Sequence, residues 1–106
     1  MPELKKYKMF IDGEWVDSES KKTFETLNPE NNEPWAVAPE ASAKDVDKAV
    51  KAAQKAFEGE WPKLLPRDRA KFLRAIADQL RKNAEMLGKI ETIDTGKLFR
   101  ETKQQA

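Results

Sequence analysis

Apolar and polar positions change rhythm once along the chain. Met9-Phe10-Ile11 and Trp15-Val16 flank Asp12-Gly13. An Asp-Gly pair between β-formers predicts a tight hairpin, because both turn residues must take positive φ. A polar stretch from Asp17 to Lys22 follows, then Thr23 to Leu27 alternates and predicts a short strand. Asn28-Pro29 stops it, since proline lacks an N–H and restricts the residue before it. Pro29 to Pro34 reads as a polar turn, and Trp35 to Ala38 as a third strand closed by Pro39.

From Ser42 the period becomes helical. Ser42 is a natural N-cap with Asp45 three residues on, close to a capping box. Val46, Ala49, Val50, Ala53 and Phe57 predict an inward face for a helix over 43–57, broken by Gly59 and Pro62. Pro66 suits the first turn of a second helix, whose buried stripe is Phe72, Leu73, Ile76, Ala77 and Leu80. Asn83 is positioned to cap a third, with Met86, Leu87, Ile90 and Ile93 inward and Gly96 as its C′ residue. A fourth starts after Leu98. The expected fold class is α+β: an N-terminal β-hairpin and short strands over about 8–38, then three to four α-helices over about 43–106. No internal repeat or low-complexity segment interrupts this order.

Composition narrows the chemistry. The 106 residues, one small domain's worth, contain no cysteine and no histidine. Thiolate nucleophiles, imidazole bases and the two commonest soft metal ligands are therefore unavailable within this chain. Apolar residues make up 39% against 37% charged, a thin supply for an independent core, so a partner surface is expected. Twenty Lys and Arg against nineteen Asp and Glu give a net charge of +1, which offers no long-range pull toward nucleic acid or anionic lipid. Residues 1–8 are polar, with no signal peptide and no transmembrane segment in view, so a cytoplasmic location is the default.

Four local features bear on function. Asp94 falls in the last turn of the third helix, where its carboxylate meets the negative end of the helix dipole. Gathered oxygens there suit Na⁺, K⁺ or Mg²⁺; equally, Asp94 accepts a hydrogen bond from a loop N–H or from Thr95. The second helix carries Arg67, Arg69, Lys71, Arg74, Arg81 and Lys82 against Asp68 and Asp78. These charges do not segregate to one face. They read as a solvated, salt-bridged surface balanced by Glu85, Glu91 and Asp94 rather than as a phosphate track. Trp15, Trp35 and Trp61 read as core or inter-element plugs, and Glu58 and Glu60, flanking Gly59, as an ordinary loop. No catalytic or cofactor-binding residue is assigned.

Several segments fall in a familiar order: FIDGEWVDSESKKTFETLNPENNE, then DVDKAVKAAQKAFEGEWPKLLPRDRAKFLRAIADQL, then LGKIETIDTGK. The hairpin with Asp12-Gly13-Glu14-Trp15, the Asn28-Pro29 step, Asp45-Val46 with Ala49-Val50, Trp61, Arg69, Ala77-Asp78 and Glu91…Asp94-Thr95-Gly96-Lys97 together resemble the N-terminal segment of the aldehyde dehydrogenase superfamily. Each motif alone is weak; the resemblance spans nearly the whole chain. Asn31-Asn32 stands where the family usually has a Thr-Gly turn. Pro34-Trp35 replaces an aliphatic pair, and Leu98 stands where proline is common.

The resemblance implies the N-terminal part of the cofactor-binding domain of an α/β, Rossmann-like NAD(P)-dependent enzyme that oxidises an aldehyde to a carboxylic acid. It implies a cysteine nucleophile, a thiohemiacetal, hydride transfer to nicotinamide, and thioester hydrolysis assisted by a glutamate. Those residues and the nucleotide site lie beyond the region matched here, so the chain alone is expected to be inactive and to bind no NAD or NADP. The resemblance further implies a monovalent cation, Na⁺ or K⁺, at backbone oxygens of Thr26 and Leu27 and at Asp94, with a third oxygen from further along. The helix after Lys97 would pass near the substrate tunnel, with no role assigned to Gln105. Implied partners are the remainder of the subunit and further copies of it, with neither nucleic acid nor membrane. The alternative is a stand-alone helical interaction module. Stripes shaped for a missing body would drive an isolated chain to associate, exchange segments or loosen.

Overall fold

The computed structural model describes residues 4–105, with side chains as far as Thr102. The chain is α+β: β1 (Lys5–Lys6), β2 (Met9–Ile11), β3 (Glu14–Val16), β4 (Thr23–Asn28), β5 (Glu33–Pro39), then α1 (Ala43–Glu58), a 3-10 turn (Trp61–Lys63), α2 (Pro66–Lys82), α3 (Ala84–Thr95) and α4 (Phe99–Gln105). It divides into two compact units, Met1–Thr26 with Pro34–Lys63 and Leu27–Glu33 with Leu64–Ala106. The side chain of Gln105 lies outside the described residues.

In the first unit the Asp-Gly hairpin forms as expected. Asp12 (φ 53°) and Gly13 (φ 79°) make the two-residue turn, and β2 pairs antiparallel with β3 in the register Met9↔Val16, Phe10↔Trp15, Ile11↔Glu14. A three-stranded sheet has the order β1-β5-β4. Its edge strand β1 was not expected: two lysines carry no alternation, and only the parallel register Lys5↔Ala36, Lys6↔Val37 makes them a strand. Tyr7 N–H extends the pairing to Val37 O at 3.0 Å, and its ring meets Trp35 edge-on at 6.2 Å.

Ser42 caps α1 in a full capping box. Its hydroxyl accepts the Asp45 N–H, and the Asp45 carboxylate accepts the Ser42 N–H. The face of α1 turned to the hairpin carries Asp45 and half-buried Ala52. The predicted inward stripe does not face it: Val46, Val50 and Phe57 are exposed, Phe57 by 69%.

In the second unit Pro66 opens α2 at its first turn, and the Arg69 guanidinium donates to Leu64 O ahead of it. Asn83 joins α2 to α3 differently from expectation. It holds the N-cap position of α3 with no side-chain bond there; its Nδ2 instead donates back to Gln79 O at 2.8 Å. The side chain therefore closes the C-terminus of α2, whose last carbonyls need donors as much as the next helix needs acceptors.

Half-buried Leu87 and Ile90 and buried Gly88 belong to α3, which packs against α4. Thr102 of α4 is fully buried and donates to Gly88 O at 2.8 Å, with the Thr92 hydroxyl 2.9 Å away. Met86 and Ile93, expected inward, are exposed, as are Phe72, Leu73, Ile76 and Leu80 of α2. Among the described residues Ala36 is the one buried hydrophobic residue. Helical periodicity identifies the apolar side of a helix but says nothing of what covers it, and these side chains stay largely exposed among the described residues.

Candidate functional site

One of the sequence candidates, Asp94, lies at the C-terminus of α3. Gly96 ends the helix at φ 78°, in the left-handed region that glycine adopts freely, and its N–H donates to Thr92 O at 2.9 Å. The Thr95 hydroxyl donates to Glu91 O at 2.7 Å and accepts the Lys97 N–H at 3.3 Å. Thr95 is thus committed to the backbone. Lys97 reaches Glu91 at 3.5 Å across the same end. Asp94 sits exposed in this last turn.

The turn after β4 lies against this helix end. A Cβ on Gly96 would come 3.2 Å from Pro29 Cγ. The turn itself is held by Asn28, whose Oδ1 accepts the Glu30 N–H at 3.0 Å and whose carbonyl accepts the Asn32 N–H at 2.7 Å. Asn32, where the resemblance expected glycine, takes φ 58°, a conformation asparagine tolerates. Thr26 and Leu27 occupy the strand just before, Thr26 half-buried and Leu27 exposed. Among the described residues no three acidic side chains cluster as a metal cage.

A second polar cluster was not foreseen. Asp45 is buried, 4% exposed, and accepts the Glu19 N–H with both oxygens, at 3.1 and 3.2 Å, besides the Ser42 N–H and hydroxyl. Hydrogen bonds from Ser42 first, then the Glu19 N–H and the charge of Lys48, hold its carboxyl below the ordinary value of 3.8 against the opposing effect of burial. The capping box was legible at Ser42; nothing at Glu19 signals its partner. Beside this knot, between the hairpin and α1, lies an open cleft of about 560 Å³ floored by Ile11, Val16 and Ala52. Its rim mixes Asp12 and Glu14 with Lys48 and Lys55, which favours ligands of neither sign.

Two members of the basic run of α2 are paired within their own helix, Lys71 with Asp68 at 3.6 Å and Arg81 with Asp78 at 3.0 Å. Glu85 and Glu91, expected to balance it, engage Lys89 and Lys97 instead. Neighbours three and four residues apart are reached at lower entropic cost than another helix. Trp15 (69% exposed) and Trp61 (41%) do not sit in a core; the Trp15 ring meets its cross-strand neighbour Phe10 in a tilted pair at 4.9 Å. Among the described residues no helix is long and apolar enough to cross a membrane.

These features define an α+β segment in which many large apolar side chains of α1 and α2 are exposed. The model of the aldehyde dehydrogenase family matches residues 15–106. An aldehyde dehydrogenase of Aspergillus niger is 49% identical over 84% of the chain and 18% of its own length. The aldehyde dehydrogenase family 2 member C4 of Arabidopsis thaliana is 45% identical over 93% and 20%. Among solved structures, the NAD-dependent aldehyde dehydrogenase of Sinorhizobium meliloti superposes with a TM-score of 0.92 at 36% identity, covering 96% of this chain and 21% of its own. The betaine aldehyde dehydrogenase of Staphylococcus aureus, in complex with NAD⁺, superposes with a TM-score of 0.88 at 41% identity, covering 92% and 20%. The chain belongs to the aldehyde dehydrogenase family. It spans about a fifth of the length of the curated relatives it matches.

Proposed function

We propose that this chain is the N-terminal segment, within the cofactor-binding domain, of a cytoplasmic, homo-oligomeric enzyme that oxidises an aldehyde to a carboxylic acid with NAD(P)⁺. Its role there is scaffolding. The observation that carries the reading is the match to about a fifth of dehydrogenase subunits by a chain in which most apolar residues of the α1 and α2 stripes lie exposed. A cysteine-free sequence supplies no thiolate for attack on an aldehyde carbonyl; the residues that bind nucleotide and form the thioester would come from the remaining four-fifths. By itself the chain is inactive. What its own residues contribute is placement: the Asp45–Glu19 knot ties α1 to the loop that follows the hairpin, and Gly96 seats the end of α3 on Pro29.

The same reading assigns a structural Na⁺ or K⁺ to the backbone oxygens of Thr26 and Leu27 and to Asp94. Support comes from the position of Asp94 in the last turn of α3, at the negative end of the helix dipole.

The test is a graft. The matched segment of the Sinorhizobium meliloti enzyme is replaced by this chain, and NADH formation from an aldehyde is followed. The expected result is a folded, active graft beside an inactive isolated chain. A graft that folds yet forms no NADH, or an isolated chain that forms it, contradicts the reading.

A further inference from the structure

Gly13 is the one glycine in this chain that follows an aspartate or an asparagine. Asp12 and Gly13 are both exposed and both take positive φ, 53° and 79°. Those values make the hairpin turn type I′, in which ψ of the first central residue is about +30°. The hydrogen bond that closes such a turn comes from the fourth residue, here Glu14, and leaves the Gly13 N–H unbonded. Among the described residues the Asp12 carboxylate has neither a hydrogen bond nor an ion pair. Space beside Gly13 is open: nothing lies within 4 Å of where a Cβ would stand.

We propose that Asp12-Gly13 is a site of covalent self-modification, at which the Gly13 nitrogen attacks Asp12 Cγ and closes a succinimide without opening the hairpin. An N–Cγ bond forms and a Cγ–O bond breaks. The oxygen leaves as water, taking the Gly13 amide proton and one proton from solution. The five-membered ring sets the Gly13 nitrogen on the same side of the Asp12 Cα–C bond as Cβ, which holds ψ at about −120°. With φ of Asp12 kept near its present 53°, that is the first central position of a type II′ turn. Types I′ and II′ differ by a flip of the central peptide, and both join hairpin strands across two residues. The flip carries φ of Gly13 from 79° to about −80°, a crossing that glycine makes without steric cost. The Ile11↔Glu14 register therefore survives ring closure. It does not survive one route of hydrolysis. Water adding to the Asp12 backbone carbonyl breaks that carbon's bond to Gly13 nitrogen, which takes the proton. The chain then runs through the side chain as isoaspartate, one methylene longer, and a two-residue turn no longer spans Ile11 and Glu14. Water adding at Cγ restores aspartate.

The other aspartates lack this geometry. Asp45, Asp47, Asp68, Asp78 and Asp94 stand in helices, whose backbone holds ψ at about −40°. Asp17 pairs with Lys21 at 3.7 Å and precedes buried Ser18. The inference concerns the turn alone and stands whether or not the dehydrogenase reading holds.

The full chain is incubated at mildly acidic pH, above the range in which the Asp45 clasp is lost, once folded and once in urea, and its peptides are mapped by mass. The peptide holding Asp12 should first lose one water, then regain its mass as isoaspartate, read by labelling with an isoaspartyl methyltransferase. Ring closure should run at least as fast in the folded chain as in urea, because φ of Asp12 is already set. Asp12→Asn keeps a pair suited to the turn and should close severalfold faster, losing ammonia in place of water. Asp12→Glu, which would need a six-membered ring, should lose nothing. The Glu14 amide should exchange its hydrogen slowly while the ring is closed and fast once isoaspartate forms. Closure slower in the folded chain than in urea overturns the proposal. So does water loss at Asp17 or Asp94 equal to that at Asp12, or a Glu14 amide that exchanges fast as soon as the ring closes.

Discussion

The Asp45 carboxylate receives the backbone N–H of Glu19, 26 residues earlier in the chain, at 3.1 and 3.2 Å. One side chain thus caps a helix and ties down the loop that follows the hairpin. Because these bonds favour the ionised form, the folded-state pKa lies below the unfolded value of 3.8. The contribution of Asp45 to stability is therefore complete above 3.8 and is lost as pH falls through the lower folded value. Denaturation midpoints measured across this range should fall toward acid in the wild type, and more shallowly in Asp45→Asn. Equal slopes would show that the clasp does not act through ionisation.

Ser42→Ala removes the other half of the box. The α1 N-terminus should lose about 1 kcal/mol, as measured for such caps, visible as a lower urea midpoint with an unchanged slope. Ser42→Asp should restore part of it.

Thr102 is 0% exposed, and its hydroxyl stands within bonding distance of Gly88 O, Phe99 O and Thr92 Oγ1. With one proton, it donates to one carbonyl at a time while accepting from Thr92. Thr102→Val keeps the shape and strands these partners, so the α3–α4 pair should lose about 1–3 kcal/mol. Hydrogen exchange should then speed up across α4 and the end of α3. Exchange as slow as in the wild type would contradict the role given to this hydroxyl.

Gly96→Ala meets two obstacles, a left-handed backbone (φ 78°) and Pro29 Cγ at 3.2 Å. The backbone term should destabilise by about 1–2 kcal/mol, and the contact adds to it. Pro29→Ala should relieve only the contact, so the double variant should be less destabilised than the sum of the single ones. Strict additivity would mean the two residues do not press on each other.

The assigned cation carries a prediction in the grafted enzyme. K⁺ or Na⁺ should raise its thermal midpoint relative to a bulky organic cation at equal ionic strength, by an amount that saturates as ligand binding requires. Asp94→Ala should abolish that difference. A salt response identical in the two proteins would remove Asp94 as a ligand.

Much of the architecture was legible. Asp12-Gly13 specifies a two-residue turn by its need for positive φ, Ser42 with Asp45 writes out a capping box, and Gly96 marks the end of α3. These signals are local, and local sequence carries them. What escaped was long-range. β1 exists only through its pairing with β5. Asn83 stands between two helix ends with equal claims on it, and bonded the earlier one. The Glu19 partner of Asp45 and the burial of Thr102 depend on segments meeting far along the chain. The apolar stripes were placed on the right residues, yet Phe57 and Ile76 face outward, because amphipathicity states a demand for cover without stating where the cover is. At the candidate site, the positions of Thr26, Leu27 and Asp94 on a strand and a helix end were readable. The packing of Gly96 on Pro29 was not.

The claim on which the rest depends is that the exposed face of α2 is built to lie against a dehydrogenase body. Ile76→Glu tests it when made twice, once in the isolated chain below its association range and once in the graft. Unfolding free energy should change little in the chain, where the carboxylate stays in water, and fall by about 3 kcal/mol or more in the graft, where it would be buried unpaired. A small and equal change in both would contradict the claim.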